Sequence, residues 1–84
     1  MYLQIIQIDA WRNDNCWTYN NIFPLEKIKV DWEPTKRRIL KLLREKGYIG
    51  HGSIYQVDDY LSPEGTWCVQ KRNGQPLFDV VEMR

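Results

Sequence analysis

The chain has one histidine, two cysteines, five scattered glycines and no apolar run of membrane-spanning length, and each shortage removes a class of function. A single His51 excludes two-histidine zinc sites. Cys16 and Cys68 show no Cys-x-x-Cys spacing, and each lies inside a β-like run. With no signal-peptide pattern, they point to reduced, half-buried thiols in a cytoplasm. Gly47, Gly50, Gly52, Gly65 and Gly74 are spread among turns, so no phosphate-cradling loop emerges. Without about 20 consecutive apolar residues there is no candidate membrane span and no membrane partner is expected. The 84 residues are read as one domain, 1–84.

Net charge is equally scarce, only +1, but its distribution is uneven. Residues 1–26 set Arg12 against Asp9, Asp14 and Glu26, which gives −2. Residues 27–48 set eight basic groups against Asp31, Glu33 and Glu45, which gives +5. The remaining residues set Lys71, Arg72 and Arg84 against five acids, which gives −2. Positive charge is therefore concentrated on one segment, far from the global excess of a committed nucleic-acid binder.

That segment holds the one clear helical period, Pro34 to Gly47. At 100° per residue Ile39, Leu40, Leu42 and Leu43 share one arc, with Arg37, Lys41 and Arg44 opposite. Pro34 suits a first helical turn, and Gly47 suits a left-handed cap that folds Tyr48 back onto the last turn. About three turns are marginal alone in water, so the leucine face must dock on the rest of the chain.

The rest reads as β-structure. Residues 2–9 and 16–23 predict two strands of an antiparallel hairpin around the turn formers 12–15. In the second strand, strict alternation groups Trp17, Tyr19, Asn21 and Phe23 on one face. Past Pro24, the alternation of Ile28, Val30 and Trp32 with charged residues predicts a separate short edge strand kept soluble by Lys27 and Lys29. Residues 54–60 predict a further strand, followed by a type I turn over 62–65. Asn73-Gly74 predicts a two-residue type I′ hairpin turn between 66–72 and 75–82. That register pairs Lys71 with Pro76, Val69 with Phe78 and Trp67 with Val80. It puts Trp67, Val69, Phe78 and Val80 under the helix, with Cys68, Gln70, Leu77 and Asp79 opposite. Pro76 implies an edge position nearby. The expected fold is α+β, one helix on an antiparallel sheet of about five strands in the order β-β-(β)-α-β-β-β. So short a helix covers one face, which leaves Tyr2, Trp11, Tyr19 and Tyr55 partly exposed on the other.

Chemistry is thinly represented. His51 between two glycines reads as an exposed loop residue. Asp58-Asp59 lacks the further oxygen donors that a hard cation needs. A cysteine nucleophile would require His51 and an orienting group beside it, whereas a buried strand cysteine is the plainer reading. No enzyme, metal or cofactor is expected. The basic stripe is the sharper feature: Arg37, Lys41 and Arg44, flanked by Lys36 and Arg38, suit successive phosphates. The plainer reading is a solvated helix face, although Glu45 is the lone acid among these cations.

Taken together, the 34–49 segment PTKRRILKLLREKGYI, the strand ending Val57-Asp58-Asp59, the closing GQPLFDVVE, and Trp11 followed by Trp17-Thr18-Tyr19-Asn20 resemble small proteins of bacteriophages and prophages. The resemblance implies no activity; it implies binding to a host or phage macromolecule, such as a host defence protein. The leading expectation is a non-enzymatic interaction protein that docks through an aromatic sheet face or a sheet edge, using Trp11, Trp17 and Tyr19 together with the basic residues. Self-association through the same surfaces is a further expectation. The alternative is a nucleic-acid-binding module that uses the basic helix on DNA or RNA.

Overall fold

The computed structural model describes residues 1–51, 55–60 and 65–83, without the side chains of 58–60. The carboxylates expected at Asp58 and Asp59, and most of the turn expected at 62–65, lie outside the described residues. The chain runs β1 (Tyr2–Asn13), β2 (Cys16–Lys29), α1 (Lys36–Glu45), β3 (Tyr55–Tyr60), β4 (Thr66–Lys71) and β5 (Pro76–Met83). All strand pairs are antiparallel, in one five-stranded sheet ordered β2-β1-β5-β4-β3. This is the expected α+β class.

The first hairpin differs from its expectation. Residues 16–29 form one continuous strand, and the separate strand expected after Pro24 is its C-terminal half. Proline is accommodated because β2 lies at the sheet edge with a ladder partner on one side only. Leu25 is skipped in the pairing, which runs Ile5↔Glu26 and then Ile6↔Pro24. A second irregularity skips Asn20, between Asp9↔Asn21 and Ala10↔Tyr19. Each bulge inverts the alternation of side chains. Trp17 and Tyr19 therefore share a face with Ala10, while Asn21 and Phe23 fall on the other; the expected single face is split. At the tip the loop is only Asp14-Asn15, and Asp14 takes a positive φ of 57°, a conformation that Asp tolerates better than most residues.

The terminal hairpin pairs Val69 with Phe78 and Trp67 with Val80 as expected, but its turn is different. The Gly74 N–H donates to the Lys71 carbonyl at 2.9 Å, and Lys71 N–H to the Gln75 carbonyl at 2.9 Å. Only Gly74 of the loop has positive φ, 92°. This is a three-residue loop, a type I turn closed by a left-handed glycine. Gln70 thus meets Pro76, and the skipped Leu77 restores the inner register. The bulge also turns Leu77 to the helix side, where it packs against the core, against expectation. β5 is an inner strand, flanked by β1 and β4; the β1 pairing stops at Gln7↔Phe78, so Pro76 has a ladder neighbour on the β4 side only.

The helix has Thr35, not Pro34, at its boundary: the Thr35 Oγ1 accepts from Arg38 N–H at 3.2 Å, and Pro34 precedes the cap. At the other end Gly47 has φ 81°. Tyr48 N–H donates to the Leu43 carbonyl at 2.9 Å and Gly47 N–H to the Arg44 carbonyl at 3.0 Å, a Schellman closure. The buried face, Ile39, Leu42 and Leu43, packs on Leu3, Ile5, Val57, Val69, Phe78 and Val80. Tyr48 stacks obliquely on Phe78, 5.7 Å between centroids. Tyr55, expected on the far face, packs against this same core.

The opposite face is covered in part by the chain itself. Beyond Gln7 the first hairpin outruns β5 and brings Tyr19 Oη to 3.9 Å from Cys68 Sγ. Trp17 reaches Gly74, where a Cβ would stand 3.7 Å from its indole nitrogen. Ile8, Ala10, Cys68 and Gln70 are buried on this side without any helix above them.

Candidate interaction site

The free edge of the sheet and the start of the helix meet at one place. Val30 N–H donates to the Met1 carbonyl at 3.0 Å, which makes Val30 and Met1 a hydrogen-bonded pair. In an antiparallel ladder the two pair types alternate. Ile28 and Glu26 therefore bond β1, while the N–H and C=O groups of Lys27 and Lys29 point away from it, to the open side of β2. The pleat sends the Ile28 side chain to the helix side and those of Lys27 and Lys29 to the opposite face.

Beside this edge lies a groove of about 370 Å³, lined by Ile28, Lys29, Val30, Trp32, Arg38, Lys41, Leu42 and Glu45. Ile28, Val30, Trp32 and Leu42 supply its apolar lining, and its rim carries the side chains of two cations, Arg38 and Lys41, against the carboxylate of Glu45, while Lys29 borders it with its side chain turned to the other face. The short connection from β2 to α1 places Trp32 there, and Arg38 lies over the indole, 5.9 Å from the ring centroid. The same guanidinium donates to the Glu33 carbonyl at 3.2 Å, so its position is fixed from two sides. Lys41 faces Glu45 at 4.0 Å, with side chains 75% and 63% exposed. So open a pair holds its partners weakly and leaves the amine available.

The other end of the helix is pinned to the same strand. Lys46 Nζ lies 3.3 Å from Glu26 Oε1, an ion pair whose geometry is not that of a hydrogen bond. Burial first, then the charge of Glu26 and a hydrogen bond to it, push the Tyr48 hydroxyl above its usual range, and Lys46 acts in the opposite sense. On the far face, burial pushes the Asp79 carboxyl up, and a hydrogen bond with Cys68 opposes the shift. Asp79 Oδ1 is buried without a hydrogen-bond partner.

The residues singled out in the sequence fall into three places. Arg38 and Lys41 stand on the groove. Lys36 and Arg37 are exposed on the first turn of α1. Arg44 is half-buried, its Nε shielded from solvent and without a hydrogen-bond partner, so the expected stripe of three is uneven. Trp11, 57% exposed, and Tyr19, 43% exposed, lie with half-buried Trp17 near the tip of the first hairpin. Trp11 pairs with Thr18 whereas the groove lies level with Leu3, eight residues back along β1. At about 3.3 Å per residue the two sets stand roughly 25 Å apart. Aromatic and basic candidates thus do not form one surface.

Sequence reasoning missed Ile28, Val30 and Trp32 as groove residues. Their alternation with Lys27 and Lys29 was visible, but that the helix would lie alongside was not. It also missed the exposed apolar stretch on β2, with Ile22 at 56%, Phe23 at 48% and Leu25 at 38%. Among the described residues no group of three or more His, Cys, Asp or Glu side chains could hold a metal ion. Among the described residues no helix is long and apolar enough to cross a membrane. No protein-family model, curated protein or solved structure matches the chain.

Proposed function

We propose that this chain is a non-enzymatic interaction protein that docks on a protein partner through the free edge of β2 and the groove beside it. One observation carries the reading: outward-pointing backbone groups run directly beside an apolar groove with a cationic rim. Strand addition draws affinity from such backbone groups and specificity from pockets for alternate side chains. The exposed Ile22, Phe23 and Leu25 extend the same edge with apolar surface. The resemblance to small phage and prophage proteins makes a host macromolecule, such as a defence protein in the bacterial cytoplasm, the partner to seek first.

The nucleic-acid alternative is weaker. Arg44 is half-buried, and the Trp32 ring already carries Arg38. The test is a photo-crosslinking residue at Lys41, where the exposed side chain tolerates replacement. Irradiation in a bacterial lysate should give a discrete protein adduct that disappears when Lys27→Pro removes an outward N–H. Absence of any adduct, together with a monomer on size exclusion, would overturn the reading.

A further inference from the structure

The groove and the edge do more than accept a strand, because their charges select its sequence. We infer that the occupant is an extended acidic peptide segment of alternating pattern, acid–apolar–acid, added antiparallel or parallel to residues 27–29 of β2; this rests on the interaction reading above. The argument is geometric. An added strand bonds the outward N–H and C=O groups of Lys27 and Lys29. The residue opposite Ile28 then projects to the helix side, onto the apolar floor made by Ile28, Val30 and Leu42. Its two neighbours project to the other face, beside the exposed Lys27 and Lys29 side chains. Carboxylates there meet opposite charge across the strand pair, whereas lysines or arginines meet like charge, which is destabilising. The cations Arg38 and Lys41 on the groove rim extend the same preference to residues flanking the apolar one.

The same charges argue against a second copy of this chain at this stretch. An antiparallel self-pairing centred on Ile28 sets Lys27 of each copy opposite Lys29 of the other. Edge lysines commonly prevent such pairing. Here they leave an acidic strand as the compatible partner. Nucleic acid fits less well, because the groove offers an apolar floor and a line of peptide hydrogen-bonding groups rather than open stacking faces.

The test uses the full chain and a capped peptide, acetyl-Ser-Thr-Glu-Leu-Glu-Thr-Ser-amide, followed by amide NMR. Shifts should centre on Lys27, Lys29, Trp32 and the first two turns of α1, and exchange of the Lys27 and Lys29 amides should slow on binding. Replacing both peptide acids by lysine, or methylating the backbone nitrogens that face β2, should weaken binding at least tenfold. So should K27E/K29E, two exposed changes that leave the core intact. Equal affinity for the lysine peptide, indifference to N-methylation, or shifts located elsewhere would overturn the inference. Preferential binding of oligo-dT at Arg37 and Lys41, lost steeply with salt, would replace it with the nucleic-acid reading. If the crosslink captures a protein but the acidic peptide does not bind, this inference falls and the interaction reading stands. If both experiments are negative, both fall.

Discussion

The two faces of the sheet are closed by different means. On one, a capped helix lays Ile39, Leu42 and Leu43 on aliphatic residues of four strands, and Leu3, Ile5, Ile39, Leu43, Val69 and Val80 reach 0% exposure. On the other, Cys68 is just as inaccessible, yet it lies under the outer half of a hairpin that brings the Tyr19 hydroxyl to its Sγ and sets Trp17 against Gly74. Gln70, buried at 8% exposure, and the shielded Asp79 Oδ1 lie on this second face beside Cys68. Burial fraction is therefore a poor guide to stability here. Close-packed aliphatic contact makes removal of atoms expensive, whereas a flap over polar groups can lift at much smaller cost.

Leu43→Ala should break the helix-covered face and have the largest effect. A fully buried leucine replaced by alanine costs about 2–5 kcal/mol, a large share of what so small a domain holds. Urea unfolding followed by circular dichroism would show a lower midpoint or no folded baseline. Gly47→Ala should cost about 1–2 kcal/mol through its left-handed backbone alone, because an added Cβ meets nothing within 4 Å. A milder result would mean that the helix end relaxes, which the same titration would reveal.

Tyr19→Ala sharpens the contrast from the other side. In a Cys16→Ser background it should lower stability by only about 1 kcal/mol while raising the rate at which a thiol reagent reaches Cys68 tenfold or more. If labelling stays slow, the hairpin is not what shields the thiol. Asp79→Asn should act with opposite sign at neutral pH, raising the melting temperature by a few degrees. The carboxyl's folded pKa lies above its ordinary value of 3.8. Between the two values the native state holds more protons than the unfolded one, so stability falls as pH rises through that window. The wild type should show that loss above about pH 4, and Asp79→Asn should flatten it in thermal scans. Smallest of all, Lys41→Ala should change stability by less than about 0.5 kcal/mol.

Part of this was legible from local pattern alone. The period of Ile39, Leu42 and Leu43 and the stop at Gly47 are encoded within one segment, as is the pairing of Val69 with Phe78 across a short loop. What escaped depends on single skipped residues or on distant pairing. The bulges at Asn20, Leu25 and Leu77 each invert a face, and no alternation count locates them. The sheet order places β5 beside β1, a choice made by packing between chain segments far apart in sequence. The groove exists only because of that assembly, which brings α1 alongside the end of β2; Lys27 and Lys29 were visible as edge residues, but the apolar floor beside them was not.

The pairing of Tyr2 with Met83 has a consequence for how the molecule is made. β5, the strand that joins β1 to β4, follows the other four strands in the chain and is therefore synthesised after them. Until then β1 and β2 can pair with each other, and so can β3 and β4, but nothing in the sheet links the two halves. Contacts between residues so far apart in sequence form slowly, after the loops between them have closed. Until β5 is made the sheet is therefore two unjoined pieces, with the helix lacking Phe78 and Val80 beneath it, and a stop codon at Pro76 would leave the chain in that condition.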